Sequence, residues 1–307
     1  MTKSIKTLMV ILTTVLTTSY PEAGFAKIST PKIFLDRSNI FYPIPADTDV
    51  LKVFGKPSQK TLPARRMKFL VWNVYKGIES AFRHEFLELA QDRDLVINQE
   101  IYLDDGMMDT YRSLPHFAFT TATSFFAGKE DIRTGVGTMG PVAPVFTKFI
   151  RTERLEPVTN SPKMALITSY PIAYTDKKLT VVNLHAINFV TSRSFKYELN
   201  RIYEAIKNIP SPLVFTGDFN TWNAERKLIL FEIAQKLKLS AAKFSPDHRI
   251  TFNGHVLDHF LYTSDIKILS ARVDQFYQGS DHKPLQIEIE YLNPSISQLE
   301  LDQIAPE

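Results

Sequence analysis

Leu213-Val214-Phe215-Thr216-Gly217-Asp218-Phe219-Asn220-Thr221-Trp222 is the stretch around which this chain is organised. After Pro212, the apolar run Leu213 to Phe215 reads as a short buried strand. Gly217 lets the backbone turn or approach a ligand closely. Asp218 and Asn220 follow two residues apart. If strand geometry persists past the glycine, both side chains leave the same face at the end of a buried strand. An acceptor and an amide together at such a rim suit a phosphate: the carboxylate handles a proton or a metal, and the amide donates to oxygen. An Asx-rich turn closing a strand would carry the same residues. The rest of the chain decides between the two.

Outward from that stretch, other apolar runs end in polar residues. Met67 to Val74 reads as a strand ending at Lys76-Gly77, and Leu95-Val96-Ile97 leads into Asn98-Gln99-Glu100. Lys163 to Thr168 and Leu179 to Leu184 read as two strands joined by a turn at Asp176-Lys177. Val256 to Tyr262, Ile266 to Ser270 and Leu285 to Tyr291 read as strands near the C-terminus, and Phe117 to Thr121 as a further one. Helical spacing of apolar residues predicts helices over 81–90, 194–206 and 228–237, with a short one within 104–116. Glycines and prolines over 124–162 predict loops and short strands, and 27–66 reads as an irregular lead-in. No internal repeat or composition break marks a second domain. Strands outnumber helices and alternate with them irregularly, which fits an α+β or layered α/β domain better than a doubly wound parallel sheet.

Composition narrows the chemistry. The 307 residues are enough to bury a substantial core. A net charge of +3 does not by itself point to nucleic acid. There is no cysteine, so disulfides and thiolate metal sites are excluded and any metal must be held by oxygen or imidazole. Lys3 and Lys6, the apolar run Leu8 to Leu12, and Gly24-Phe25-Ala26 have the layout of an export signal cleaved after Ala26. The run is too short to span a bilayer. Export to the periplasm or the medium is therefore expected, with 292–307 as a C-terminal tail.

The strand endings collect Asn73, Glu100, Asn183, His185, Asp218, Asn220, Asp258, Asp281 and His282. Each alone reads as a turn, cap or structural residue. Together, on a rigid core, they read as a site. Val71-Trp72-Asn73-Val74, Asn98-Gln99-Glu100, Asn183-Leu184-His185, Gly217-Asp218-Phe219-Asn220, Leu257-Asp258-His259-Phe260 and Ser280-Asp281-His282-Lys283-Pro284-Leu285 stand in the order of a known family. Over residues 67–291 the chain resembles the endonuclease/exonuclease/phosphatase superfamily of metal-dependent phosphoesterases.

That resemblance implies a layered α/β/β/α sandwich, two packed sheets with helices outside. It implies Mg²⁺, with Mn²⁺ as an alternative, held by Glu100 with Asn73 and Asp281 beside it. His282 would be the general base or the orienter of water, held by Asp258. Asp218 would orient the nucleophile or the leaving group, and Asn220 and His185 would donate to the phosphate. Tyr75 stands where many nuclease members carry a second acid, and the signature of inositol polyphosphate phosphatases is missing. Lys76, Trp222 and Arg193 are candidate substrate contacts, Trp222 by stacking and the cations by phosphate binding. Each also reads plainly as a core or solvated residue.

The expected activity is metal-assisted attack of water on phosphorus, on nucleic acid or another phosphodiester. The alternatives are a phospholipid or sphingomyelin diester, a phosphomonoester, or an inactive binding member. None of Glu100, His185, Asp218, Asn220, Asp258, Asp281 or His282 is missing, which argues against the last. An exposed aromatic hairpin at Ser124-Phe125-Phe126-Ala127-Gly128 would favour lipid. A monomer without a stable protein partner is expected.

Overall fold

In the computed structural model, residues 42–128, 130–157 and 159–292 are described. In chain order the strands are β1 (Leu51–Gly55), β2 (Met67–Asn73), β3 (Leu95–Tyr102), β4 (Ala118–Ala127), β5 (Ile132–Gly140), β6 (Phe146–Arg151), β7 (Met164–Pro171), β8 (Lys178–His185), β9 (Leu213–Asp218), β10 (Ser240–Ala241), β11 (Thr251–Phe252), β12 (His255–Val256), β13 (Asp258–Tyr262), β14 (Ile266–Arg272) and β15 (Leu285–Tyr291). The α-helices are α1 (Phe82–Ala90), α2 (Asp105–Arg112), α3 (Ser192–Ile206) and α4 (Ala224–Lys236). One sheet has seven strands in the order β1-β4-β5-β3-β2-β15-β14, the other six in the order β10-β13-β9-β8-β7-β6. β11 and β12 form a separate hairpin.

Strand parity builds the layers. Successive side chains leave opposite faces, so a continuous apolar run feeds two cores at once. In β2, Phe69 and Val71 enter the core between the sheets, while Leu70 and Trp72 pack beneath α1 and α2 with Phe82, Phe86 and Tyr111. In β8 and β9, Val181 and Val214 face the other sheet. Val182, Leu184 and Phe215 face α3 and α4, against Phe195, Leu199 and Ile229. The result is the expected sandwich: helices, sheet, sheet, helices.

Two parallel pairs set the site's position. β2 pairs with β3 and β8 with β9 in parallel, with α1 and α3 lying between the paired strands in sequence. β15 runs antiparallel beside β2, and β13 beside β9 with Asp258 opposite Asp218. The ends of β2, β3, β8 and β9 therefore share one rim with the starts of β13 and β15.

Two expectations are corrected. The lead-in is not irregular throughout: Leu51–Gly55 forms β1, an edge strand on β4. It has only one neighbour and keeps Lys52 and Val53 in solvent, so it lacks an apolar run. The loops and short strands expected over 124–162 are there, as the end of β4, then β5 and β6 with loops between, and Gly135 and Gly140 mark close approach within β5 rather than turns. A Cβ at Gly135 would stand 2.0 Å from the Ala122 carbonyl oxygen, and one at Gly140 would stand 2.3 Å from that of Asp94. Val256 to Tyr262 also divides, between β12 and β13. The expected export signal and the tail beyond Leu292 lie outside the described residues. Among the described residues no helix is long and apolar enough to cross a membrane.

Candidate active site

Parity continues into the polar strand ends. Phe69 and Val71 face the second sheet, and so does Asn73 two residues on. The same count along β8 and β9 turns Asn183, His185 and Asp218 inward. Asn73 Nδ2 donates to Asp218 Oδ2 at 3.0 Å, crossing from one sheet to the other. Gln99 Nε2 donates to Asn183 Oδ1 at 2.7 Å, and Asn183 Nδ2 donates back to the carbonyls of Asn98 and Gly137. These buried amides bond one another across the interface, while Gln99 Oε1 is left without a partner.

Glu100 reaches the rim by a different route. Val96 faces the helices, as does Asn98, whose Oδ1 accepts from Tyr111 Oη. Glu100 would be next on that side. Instead Ile101 packs there, because the ladder with β5 slips between Gln99 and Ile101. Glu100 is the extra residue of a β-bulge, with φ at +54°. Bulges re-aim side chains next to sites, and this one turns the carboxylate toward Lys76 and His185. Lys76 Nζ lies 3.1 Å from Glu100 Oε2, and His185 Nε2 lies 3.7 Å from Oε1.

His282 faces this group from the start of β15. Its Nδ1 is 2.8 Å from Asp258 Oδ2, and its Nε2 is 3.9 Å from Asp218 Oδ2. His185 Nε2 stands 3.6 Å from the same Asp218 oxygen. Two hydrogen bonds fix the His282 backbone: Trp72 Nε1 donates to its carbonyl, and its N–H donates to Ser280 Oγ. Asn220, in the left-handed region at φ +50°, donates its N–H to Asp218 Oδ1 and its side-chain Nδ2 to the Ala186 carbonyl.

The electrostatics follow from burial and neighbours. Burial alone would raise Glu100, but Lys76, His185 and Lys163 hold its carboxyl well below the usual range. Burial raises Asp218, with Asp258 and Glu100 adding repulsion and His282 opposing. Burial and the Lys163 charge push His185 well below its ordinary value. For His282 burial opposes the charge, yet Asp258, Asp218 and Asp281 together carry it up to about 10.

That last shift has a stability consequence. The folded protein holds the His282 proton more tightly than the unfolded chain does. Its contribution is therefore complete below the ordinary value near 6.5 and is lost as pH rises through about 10. Melting temperatures of metal-free protein should fall between about pH 7 and about pH 10, and Asp258→Asn should flatten that fall. A parent protein with a level profile over this range would contradict the pairing.

Two donor sets lie side by side. Asp218, Asp258 and His282 have ligand atoms all within 4.8 Å of one another. Two of these are already joined by a hydrogen bond through Nδ1. Glu100 and Asp281 sit beside them, and partial desolvation and Glu100 both raise the Asp281 acid. Carboxylates gathered this closely, one of them already paired with an ammonium, suit a hard cation. The set is all oxygen and imidazole, as the cysteine-free sequence requires.

The structure brings together Asn73, Lys76, Glu100, His185, Asp218, Asn220, Asp258 and His282, with Asp281 exposed at the mouth. Arg193 stays outside this cluster, exposed at the start of α3. Trp222 is half-buried beside the cluster. Its Nε1 donates to Asn188 Oδ1, and the Arg226 guanidinium lies 4.5 Å from its ring centroid. Sequence reading missed the Glu156–Lys163 pair, 3.5 Å apart and buried behind the site. It also missed Arg226, which is buried between Phe195 and Trp222. Arg226 shares the helical face of Ile229, Leu230 and Ile233, where an apolar residue is expected. That misplacement was the readable signal. Glu156 gave none.

A profile described as the Endonuclease/Exonuclease/phosphatase family matches residues 70–282. The chain is 31% identical over 229 residues to a UPF0294 protein of Vibrio cholerae, covering 74% of this chain and 79% of that one. Among solved structures it resembles an endonuclease/exonuclease/phosphatase from Beutenbergia cavernae, with a TM-score of 0.56 and 13% identity, covering 74% of this chain and 72% of that one. It also resembles the catalytic domain of human Nocturnin with bound sulfate, with a TM-score of 0.55 and 18% identity, covering 78% of this chain and 97% of that one.

Proposed function

We propose, from the premise that the chain belongs to the Endonuclease/Exonuclease/phosphatase family, that it is an exported Mg²⁺-dependent phosphodiesterase acting on nucleic acid. The family consists of metal-dependent phosphoesterases, and the chain is a hydrolase of phosphoric ester bonds. The finer reading is carried by one observation: the Asp258–His282 pair, whose outer nitrogen faces Asp218 across 3.9 Å.

Asp258 fixes the imidazole with Nδ1 as donor, leaving Nε2 to face the cluster. A single water can touch both Nε2 and Asp218 Oδ2. His282 takes its proton as the oxygen attacks phosphorus, the bond to the leaving oxygen breaks, and that oxygen is protonated in turn. His185 and Asn220 donate to the non-bridging oxygens. One hydrogen of the Asn220 amide is already bound to Ala186, and the second remains for this role. Glu100 and Asp281 would hold Mg²⁺, which supplies charge against the developing phosphate charge and weakens the hold of His282 on its proton. Lys76 bonds Glu100 and so acts through the metal ligand rather than on substrate.

The mild positive charge and the export signal are compatible with nucleic acid met outside the cell. The test is plasmid cleavage by residues 27–307 with Mg²⁺, with EDTA as the control. Cleavage abolished by EDTA and restored by Mg²⁺ is expected. No cleavage by folded protein would overturn the nuclease reading, and sphingomyelin and small phosphate esters would be the next substrates.

A further inference from the structure

Phe189 lies four residues after His185, in the loop that leads from β8 to α3. Its backbone is left-handed at φ +53°, and the residue is 45% exposed. A bulky side chain in that region is a genuine outlier. A chain does not keep a strained backbone to hold a phenyl ring in water unless its surroundings impose it.

The surroundings do impose it. Asn188 Oδ1 accepts both the Phe189 N–H at 2.9 Å and Trp222 Nε1 at 2.9 Å. The Asn188 N–H donates to the buried Glu156 at 2.8 Å. Arg226 donates to the carbonyls of Ile187 and Val190 on either side, and also to the carbonyl of Asn220 in the site. Its guanidinium is clamped between the Phe195 and Trp222 rings. One buried cation thus ties the loop that carries Phe189 to the backbone of the phosphate-binding Asn220. Trp222, the aromatic expected to meet substrate, is part of this scaffold, and Phe189 is the ring the scaffold presents.

We propose that Phe189 is a stacking platform for the base of a nucleotide adjoining the scissile phosphate. This rests on the nuclease reading above. An exposed ring on a held backbone suits a flat partner, since every base offers a π-face. Beyond it, at the start of α3, Arg193 lines a shallow groove with Leu228, Glu225 and the Lys196–Glu232 ion pair. An exposed guanidinium there is placed for the next phosphate along a strand. A membrane contact would need a contiguous apolar patch, whereas the adjoining groove sets Leu228 among Arg193, Lys196, Glu225 and Glu232.

The test uses short oligonucleotides whose only cleavable linkage lies between two bases, and the same oligonucleotides with those two bases removed. In the parent protein KM should be lower with the bases present. Phe189→Ala should raise KM about tenfold on the base-bearing substrate, within the range one stacked base contributes. It should leave kcat and the abasic substrate unchanged, and Phe189→Tyr should restore binding. Phe189→Gly relieves the left-handed strain, so it should lose binding like alanine while melting a few degrees higher. Equal losses on both substrates, or none, would overturn the platform while leaving the nuclease reading intact. Failure of the parent protein to cleave either oligonucleotide would overturn both. Loss of binding to phosphatidylcholine vesicles in Phe189→Ala, with nucleotide KM unchanged, would overturn the platform in favour of a membrane contact.

Discussion

His282→Ala should lower turnover of a phosphodiester about 10²–10⁴-fold, the usual contribution of a positioned general base. The fold should survive. Trp72 and Ser280 hold the His282 backbone through its own carbonyl and N–H, and neither bond involves the imidazole. The lost side chain leaves Asp258 buried without its partner, so a modest loss of stability accompanies the loss of rate. KM should change little, because in the proposed mechanism His185 and Asn220 receive the substrate phosphate. Added imidazole should recover part of the rate. Steady-state kinetics with circular dichroism as the folding control measure all of this. Hydrolysis at the parent rate would remove His282, and with it Asp258, from the chemistry.

Gly217→Ala should be among the most damaging single methyl groups in the described chain, costing about 4 kcal/mol or more, at the exceptional end for a point change. Gly217 pairs with Leu184 in the parallel β8–β9 ladder. Its φ is +131°, and a Cβ there would stand 2.1 Å from the Leu184 carbonyl oxygen and 3.1 Å from Gln99 Nε2. The first of these is backbone in a buried ladder and cannot swing aside. Relief requires β8 and β9 to part, which separates His185 from Asp218 as well. Urea unfolding with activity measured alongside would show both losses. A cost below about 1 kcal/mol would mean that the ladder is far looser than its geometry.

Much of this was legible in the sequence, and parity explains why. Strands covered on both faces appear as unbroken apolar runs, so β2, β3, β8 and β9 announced themselves, and the polar residues ending them became the rim. What stayed hidden depended on relations between strands. Gly217 was read as a turn or a place for a ligand, but its close neighbour is the Leu184 carbonyl. Gly135 looked like a loop residue because nothing local reveals that it lies opposite two bulges, one at Glu100 and one in β4. Glu100 could be nominated as a metal ligand, yet the count along β3 would have pointed it at the helices. β1 lacked a run because an edge strand is covered on few sides. The partners of Trp222 were not legible, because Asn188 is distant in sequence and Arg226 is displaced from its expected face.

The hydrogen bonds that cross between the sheets have a consequence for how the molecule acquires its activity. Asn73, Glu100 and His282 hang from one sheet, and His185, Asp218, Asn220 and Asp258 from the other. Neither half owns a working set. The polar seam of Gln99, Asn183, Asn73 and Asp218 admits one alignment of the halves, as the teeth of a key admit one depth in a lock. A sheet displaced by one residue leaves those amides facing the wrong partners and scatters the groups around phosphorus. Activity is therefore expected only once the two sheets have docked, and on refolding it should return together with the native fold.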